Sequence, residues 1–92
     1  MKFSFDINLD CPNDLRDFLN FNGMRTGREL AGKLGFEGEG SVRAANALID
    51  YAWNKSTAKN FRKLGYIESS LCYEEICDSI YDNEISGKIE CW

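Results

Sequence analysis

Phe3, Phe5, Ile7 and Leu9 alternate with Lys2, Ser4, Asp6, Asn8 and Asp10. A period of two marks a strand with one buried face, and it predicts a strand over residues 2–9. A lone strand leaves its backbone donors and acceptors without partners. The other strand-like stretch is residues 88–92, after Gly87. Either the two ends pair within the chain, or the first strand meets its own copy across a homodimer. The pattern leaves both open.

After Pro12 the period lengthens to that of helices. Pro12 suits a first helical turn and Asp14 its positive end. Leu15, Phe18, Leu19 and Phe21 then recur at helical spacing, which predicts a helix over about 12–22. Thr26 and Glu29 stand in the T-x-x-E relation of a capping box. Leu30, Ala31 and Leu34 follow as an apolar stripe, and Gly35 ends a helix over 26–34. Ser41 reads as the cap of a third helix, over 41–64. Ala44, Ala45, Ala47, Leu48, Ile49 and Ala52 cover most of its circumference, which places it in the middle of a bundle. Gly65 stops it, and Tyr66 is positioned to fold back in a Schellman contact. A last helix is expected over 67–82. Tyr73, Ile76, Cys77, Ile80 and Tyr81 mark one face, and Glu68, Glu74, Glu75, Asp78 and Asp82 cover the rest. The expected fold is mainly α: one domain over residues 1–92, a compact four-helix bundle with a short N-terminal β-strand and a tail over 83–92.

Composition narrows the class. Apolar residues make up 43% and charged residues 28% of the 92 positions, an ordinary soluble globular balance that argues against disorder. Asp6, Asn8 and Asp10 interrupt any signal-peptide core. No apolar run approaches the roughly 20 residues of a membrane helix. The expectation is therefore a cytoplasmic protein without membrane contact. Cys11, Cys72, Cys77 and Cys91 contain no C-x-x-C pair and histidine is absent, so four reduced thiols and no metal or other cofactor are expected.

Net charge is −4, unevenly spread. From Arg16 to Lys63 nine basic residues face five acidic ones, whereas from Leu64 onward Lys88 stands against seven acids. The middle of the chain is basic and the last third acidic, so the fold is expected to be bipolar. Packing of the acidic helix beside the basic one is the simpler consequence.

An active site needs a nucleophile with a base, a metal, or tuned carboxylates. Without histidine the commonest base is missing. Cys72 and Cys77 sit among acids, which raise a thiol's pKa. Glu74 and Glu75 are adjacent and point about 100° apart on a helix. Gly35, Gly38 and Gly40 follow a helix and lack the P-loop lysine. No enzymatic role is expected.

Thr26-Gly27-Arg28-Glu29-Leu30-Ala31-Gly32-Lys33-Leu34-Gly35 is similar to the first helix and turn of a helix-turn-helix. Ser41 to Asn46 would then open a recognition helix, with Arg43 and Asn46 directed at base edges. Glu37 and Glu39 would face phosphates, which opposes that reading. Trp53 reads first as core and otherwise as a partner anchor.

A wider pattern runs from Thr26 to Asp82: Gly38-x-Gly40, Tyr51-Ala52-Trp53-Asn54-Lys55 with Thr57-Ala58, Arg62, Gly65-x-Ile67, and Tyr73-Glu74-x-Ile76-Cys77-x-x-Ile80-Tyr81. It resembles a group of small uncharacterised phage and prophage proteins. The resemblance brings no site residues with it. It implies an accessory protein that binds and disables a host protein or protein–nucleic-acid complex in the bacterial cytoplasm, including CRISPR and restriction machinery. Candidate contacts are the basic stretch Arg43, Lys55, Lys59, Arg62 and Lys63, or the acidic helix with Glu68, Glu74, Glu75, Asp78 and Asp82. The acidic face would imitate nucleic acid in a basic groove. The alternatives are a helix-turn-helix regulator that binds DNA and a structural or dimerisation module.

Overall fold

The computed structural model describes residues 3–5, 12–21 and 26–91. Four helices dominate them: α1 (Pro12–Phe21), α2 (Gly27–Leu34), α3 (Ser41–Lys63) and α4 (Ile67–Ile80). One π-helical turn, Tyr81–Ile85, continues α4. At the ends, β1 (Phe3–Phe5) runs parallel to β2 (Ile89–Cys91), with Phe3 opposite Ile89. Residues 2 and 6–9, part of the stretch read as a strand, lie outside the described residues, so the strand over 2–9 is not shown.

The alanine-rich segment behaves as its pattern demands. At 23 residues, α3 is the longest helix, and α1, α2 and α4 all pack on it. Ala44, Ala45, Ala47, Leu48, Ile49, Tyr51, Ala52, Ser56 and Ala58 are buried along it. Small side chains on several faces let three neighbours approach one axis. Leu19 of α1, Leu30 of α2 and Leu48 of α3 are fully buried in the shared core. Burial of each such side chain stabilises the fold by about 1.5–3 kcal/mol. Arg16 Nη1 donates to Ser56 Oγ at 3.0 Å and ties α1 to the second half of α3. In the same core, Phe3 packs on Phe36 with ring centroids 4.8 Å apart.

Local chemistry sets the boundaries. Thr26 accepts a hydrogen bond from the Glu29 N–H at 3.2 Å, the backbone half of the expected box. The same end signal closes α2 and α3. Phe36 N–H reaches Ala31 O at 2.9 Å, and Tyr66 N–H reaches Phe61 O at 2.9 Å. Gly35 and Gly65 sit between, at φ 72° and 86°, a region where a side chain would be strained. These are Schellman caps, and in each the residue after glycine folds back onto apolar surface.

Three local expectations are corrected. Ser41 is the first residue of α3; Gly40 occupies the cap and no side-chain bond closes it. Trp53 is 41% exposed, because the buried arc of α3 is satisfied by smaller side chains. The α-helical part of α4 ends at Ile80, where the wider turn takes over. That turn buries Ile85 and still lets Glu84 reach Arg43. Of the thiols, Cys77 is buried and Cys72 exposed, both free; Cys11 lies outside the described residues.

Candidate interaction surface

α3 and α4 form an antiparallel hairpin, and two ion pairs tie α3 to α4 and to the π turn that follows it. At its open end Arg43 donates to both oxygens of Glu84, at 2.7 and 2.6 Å. This bond holds the Glu84 carboxyl below the usual glutamate range, with the charges of Arg43 and Lys88 adding and desolvation opposing. The pair also raises Arg43 further. Toward the closed end Arg62 Nη2 lies 3.2 Å from both oxygens of Glu74. Phe61 stacks on Tyr73 at 5.6 Å and meets Tyr66 edge-on at 6.1 Å.

Between the two ends the contact is made by small groups. Ser70 and Cys77, seven positions apart, are both fully buried. The Cys77 thiol points to Tyr51 O at 3.9 Å. Burial pushes that thiol up, Lys55 opposes the shift, and Asp78 and Glu74 add to it. The apolar face read for the last helix is therefore rotated. Cys77 is buried and Tyr73 and Ile80 are half-buried, but Ile76 and Tyr81 are exposed.

The outer side is different. Leu64, Tyr66 and Ile67 surround the corner between the helices and are 69%, 60% and 45% exposed. Leu71, one turn along α4 from Ile67, is 48% exposed. Glu68, Glu75, Asp78 and Asp82 are exposed as well. Positions 68, 71, 75 and 78 are spaced by three and four, so they share one face of α4. Among the described residues no salt bridge joins any of these four acids to a base.

The ten charged candidates thus sort into three groups. Arg43, Arg62 and Glu74 hold the hairpin together. Lys59 and Lys63 stand exposed on the last turns of α3, with Lys55 half-buried nearer the core. Glu68, Glu75, Asp78 and Asp82 face outward. Arg43, read as a base-edge contact of a helix-turn-helix, is 74% exposed and pairs with Glu84, and exposed Asp50 lies on the same helix. A cleft of about 220 Å³ at the open end is lined by Phe3, Glu39, Arg43, Glu84 and Lys88. Its two acids and two bases balance.

Leu64, Ile67 and Leu71 are functional candidates that the sequence reading passed over. A signal was present: Leu71 falls between Glu68 and Glu75 at helical spacing, off the Cys77 face. Among the described residues no group of His, Cys, Asp or Glu is placed to hold a metal ion, and no helix is long and apolar enough to cross a membrane. Compared with known protein families, with curated proteins and with solved structures, the chain matches none.

Proposed function

We propose that this chain is a non-catalytic protein-binding module of phage type, acting on a host protein or protein–nucleic-acid complex through the outer face of the α3–α4 hairpin. One observation carries the reading. Leu64, Tyr66, Ile67 and Leu71, neighbours along the α3–α4 corner and the first turns of α4, are all exposed, and Leu64 and Tyr66 are the two most exposed large apolar side chains among the described residues. A contiguous apolar patch with a polar rim is the usual form of a protein contact. The acids along α4 set its sign, since a negative surface selects and steers a positive partner.

The resemblance to phage and prophage proteins extends this to an inhibitor of a host defence complex, of the anti-CRISPR or anti-restriction type, met in the bacterial cytoplasm. Carboxylates in a row would then stand where nucleic-acid phosphates otherwise bind.

The test is capture from a bacterial extract by the immobilised chain, beside a variant carrying Leu64→Ser, Ile67→Ser and Leu71→Ser. All three side chains are exposed, so the variant retains its helical circular dichroism. A discrete host protein held by the wild type and lost with the variant is the expected result. Equal capture by both, or none by either at moderate salt, refutes the reading.

A further inference from the structure

We infer that the outer face of α4 receives a basic amphipathic helix of the partner, with apolar side chains seated on Ile67 and Leu71 and lysines or arginines paired with Glu68, Glu75, Asp78 and Asp82. This rests on the protein-binding reading and names the chemistry of what binds.

Positions 68, 71, 75 and 78 repeat the three–four step of a helix seam, and Asp82 stands exposed just past the end of α4, in the π turn. From 68 to 78 the seam is about 15 Å long at 1.5 Å per residue, close to three turns. Ridges spaced this way interdigitate with the same rows on another helix. Ile67 and Leu71 expose nearly half their surface beside the acids, so the occupant must offer apolar groups together with charge.

Charge then selects among occupants. A second copy docked through this face would oppose four carboxylates with four more, because a two-fold contact sets a patch against itself. DNA or RNA would be repelled by the same groups. A purely apolar helix would strip water from the carboxylates and leave them without partners. A helix with a basic flank and an apolar seam satisfies both features. Glu74 and Glu84 carry internal ion pairs, whereas the four outer acids have none among the described residues, so a partner competes with nothing in the fold.

The probe is a labelled 21-residue peptide with leucine at the a and d positions of a heptad and lysine elsewhere. A second peptide has the same composition with the leucines scrambled off the seam. Binding to the full chain is read by fluorescence anisotropy. Preference for the amphipathic peptide is expected, with affinity falling as salt rises. Leu71→Glu is expected to weaken binding at least tenfold although it adds a negative charge. Glu75→Lys with Asp78→Lys is expected to do the same, while Glu37→Lys with Glu39→Lys, an equal charge change in the α2–α3 loop, leaves it within twofold. Equal binding of the scrambled peptide, or unchanged or tighter binding by Leu71→Glu, shows mere charge adhesion and overturns the inference. Capture from extract that survives Glu75→Lys with Asp78→Lys yet is lost with the apolar triple variant also overturns it, leaving the protein-binding reading intact. Absence of any capture removes both.

Discussion

Ser70 offers a sharp test of how the hairpin is packed. Its side chain is fully buried between α4 and the rest of the fold, and its hydroxyl has no hydrogen-bond partner. The carbonyl one turn back, Tyr66 O, accepts from Ser70's own N–H at 3.0 Å and so is already engaged once. A hydroxyl taken out of water without a partner costs about 1–3 kcal/mol. Ser70→Ala removes the oxygen, leaves a gap smaller than a methyl group, and exchanges serine for the best helix former. The change should stabilise the protein by about 1 kcal/mol. For a domain of this size that raises Tm by about 4–8 °C. Thermal unfolding followed by far-ultraviolet circular dichroism reads the shift, and urea unfolding checks that the midpoint moves at constant slope. Ser70→Val supplies the opposite control, because extra volume in a close helix contact is strained. A Ser70→Ala variant that melts lower than wild type would refute the reasoning, since the hydroxyl would then have to be making a bond worth more than its burial costs.

Other consequences are equally direct. Gly27→Ala should destabilise by about 1–3 kcal/mol, because a Cβ there would lie 2.7 Å from Val42 O and closer still to the Asn46 side chain; urea unfolding measures it. Glu84 has a folded pKa below its unfolded value, so its contribution to stability is present above the ordinary glutamate range, near 4.3, and is lost as pH falls through the lower folded value. Stability curves of wild type and Glu84→Gln should therefore converge in acid, and curves that stay parallel down to pH 2 would contradict the ion pair's role. Cys72 should react with iodoacetamide in the native protein while Cys77 reacts only on unfolding, because Cys77 is buried and its thiol is pushed up. Peptide mapping by mass spectrometry separates the two.

The helices were legible because their ends are written in neighbouring residues. Thr26 with Glu29, Gly35 with Phe36, and Gly65 with Tyr66 each act within six positions, and local spacing is what a chain displays. Arg43 and Glu84 are 41 positions apart, and their pairing depends on how α4 docks and on the π turn that follows it. No local pattern encodes that distance. Trp53 failed for another reason. A helix apolar on many sides can bury only the arc its neighbours cover, and alanines fill that arc more closely than an indole does.

The rotated face of α4 is the instructive case. Its apolar residues Tyr73, Ile76, Cys77, Ile80 and Tyr81 form a broad stripe, and breadth alone does not say which line within it meets the core. A helix between two neighbours would bury all of that stripe. α4 packs chiefly on α3, so its contact is one narrow line, and the line falls where Ser70 and Cys77 are small enough for two backbones to approach. Everything larger is pushed to the flanks, with Ile76 and Tyr81 left partly in water. Ile67 and Leu71 belong to neither the line nor the stripe. Their exposure is therefore not the overflow of a crowded core, and the hairpin closes without them through Phe61, Tyr73, Arg62 and Glu74. For that reason substitutions along 67–78 on the outer face should leave folding nearly untouched, and any binding they abolish belongs to the surface itself.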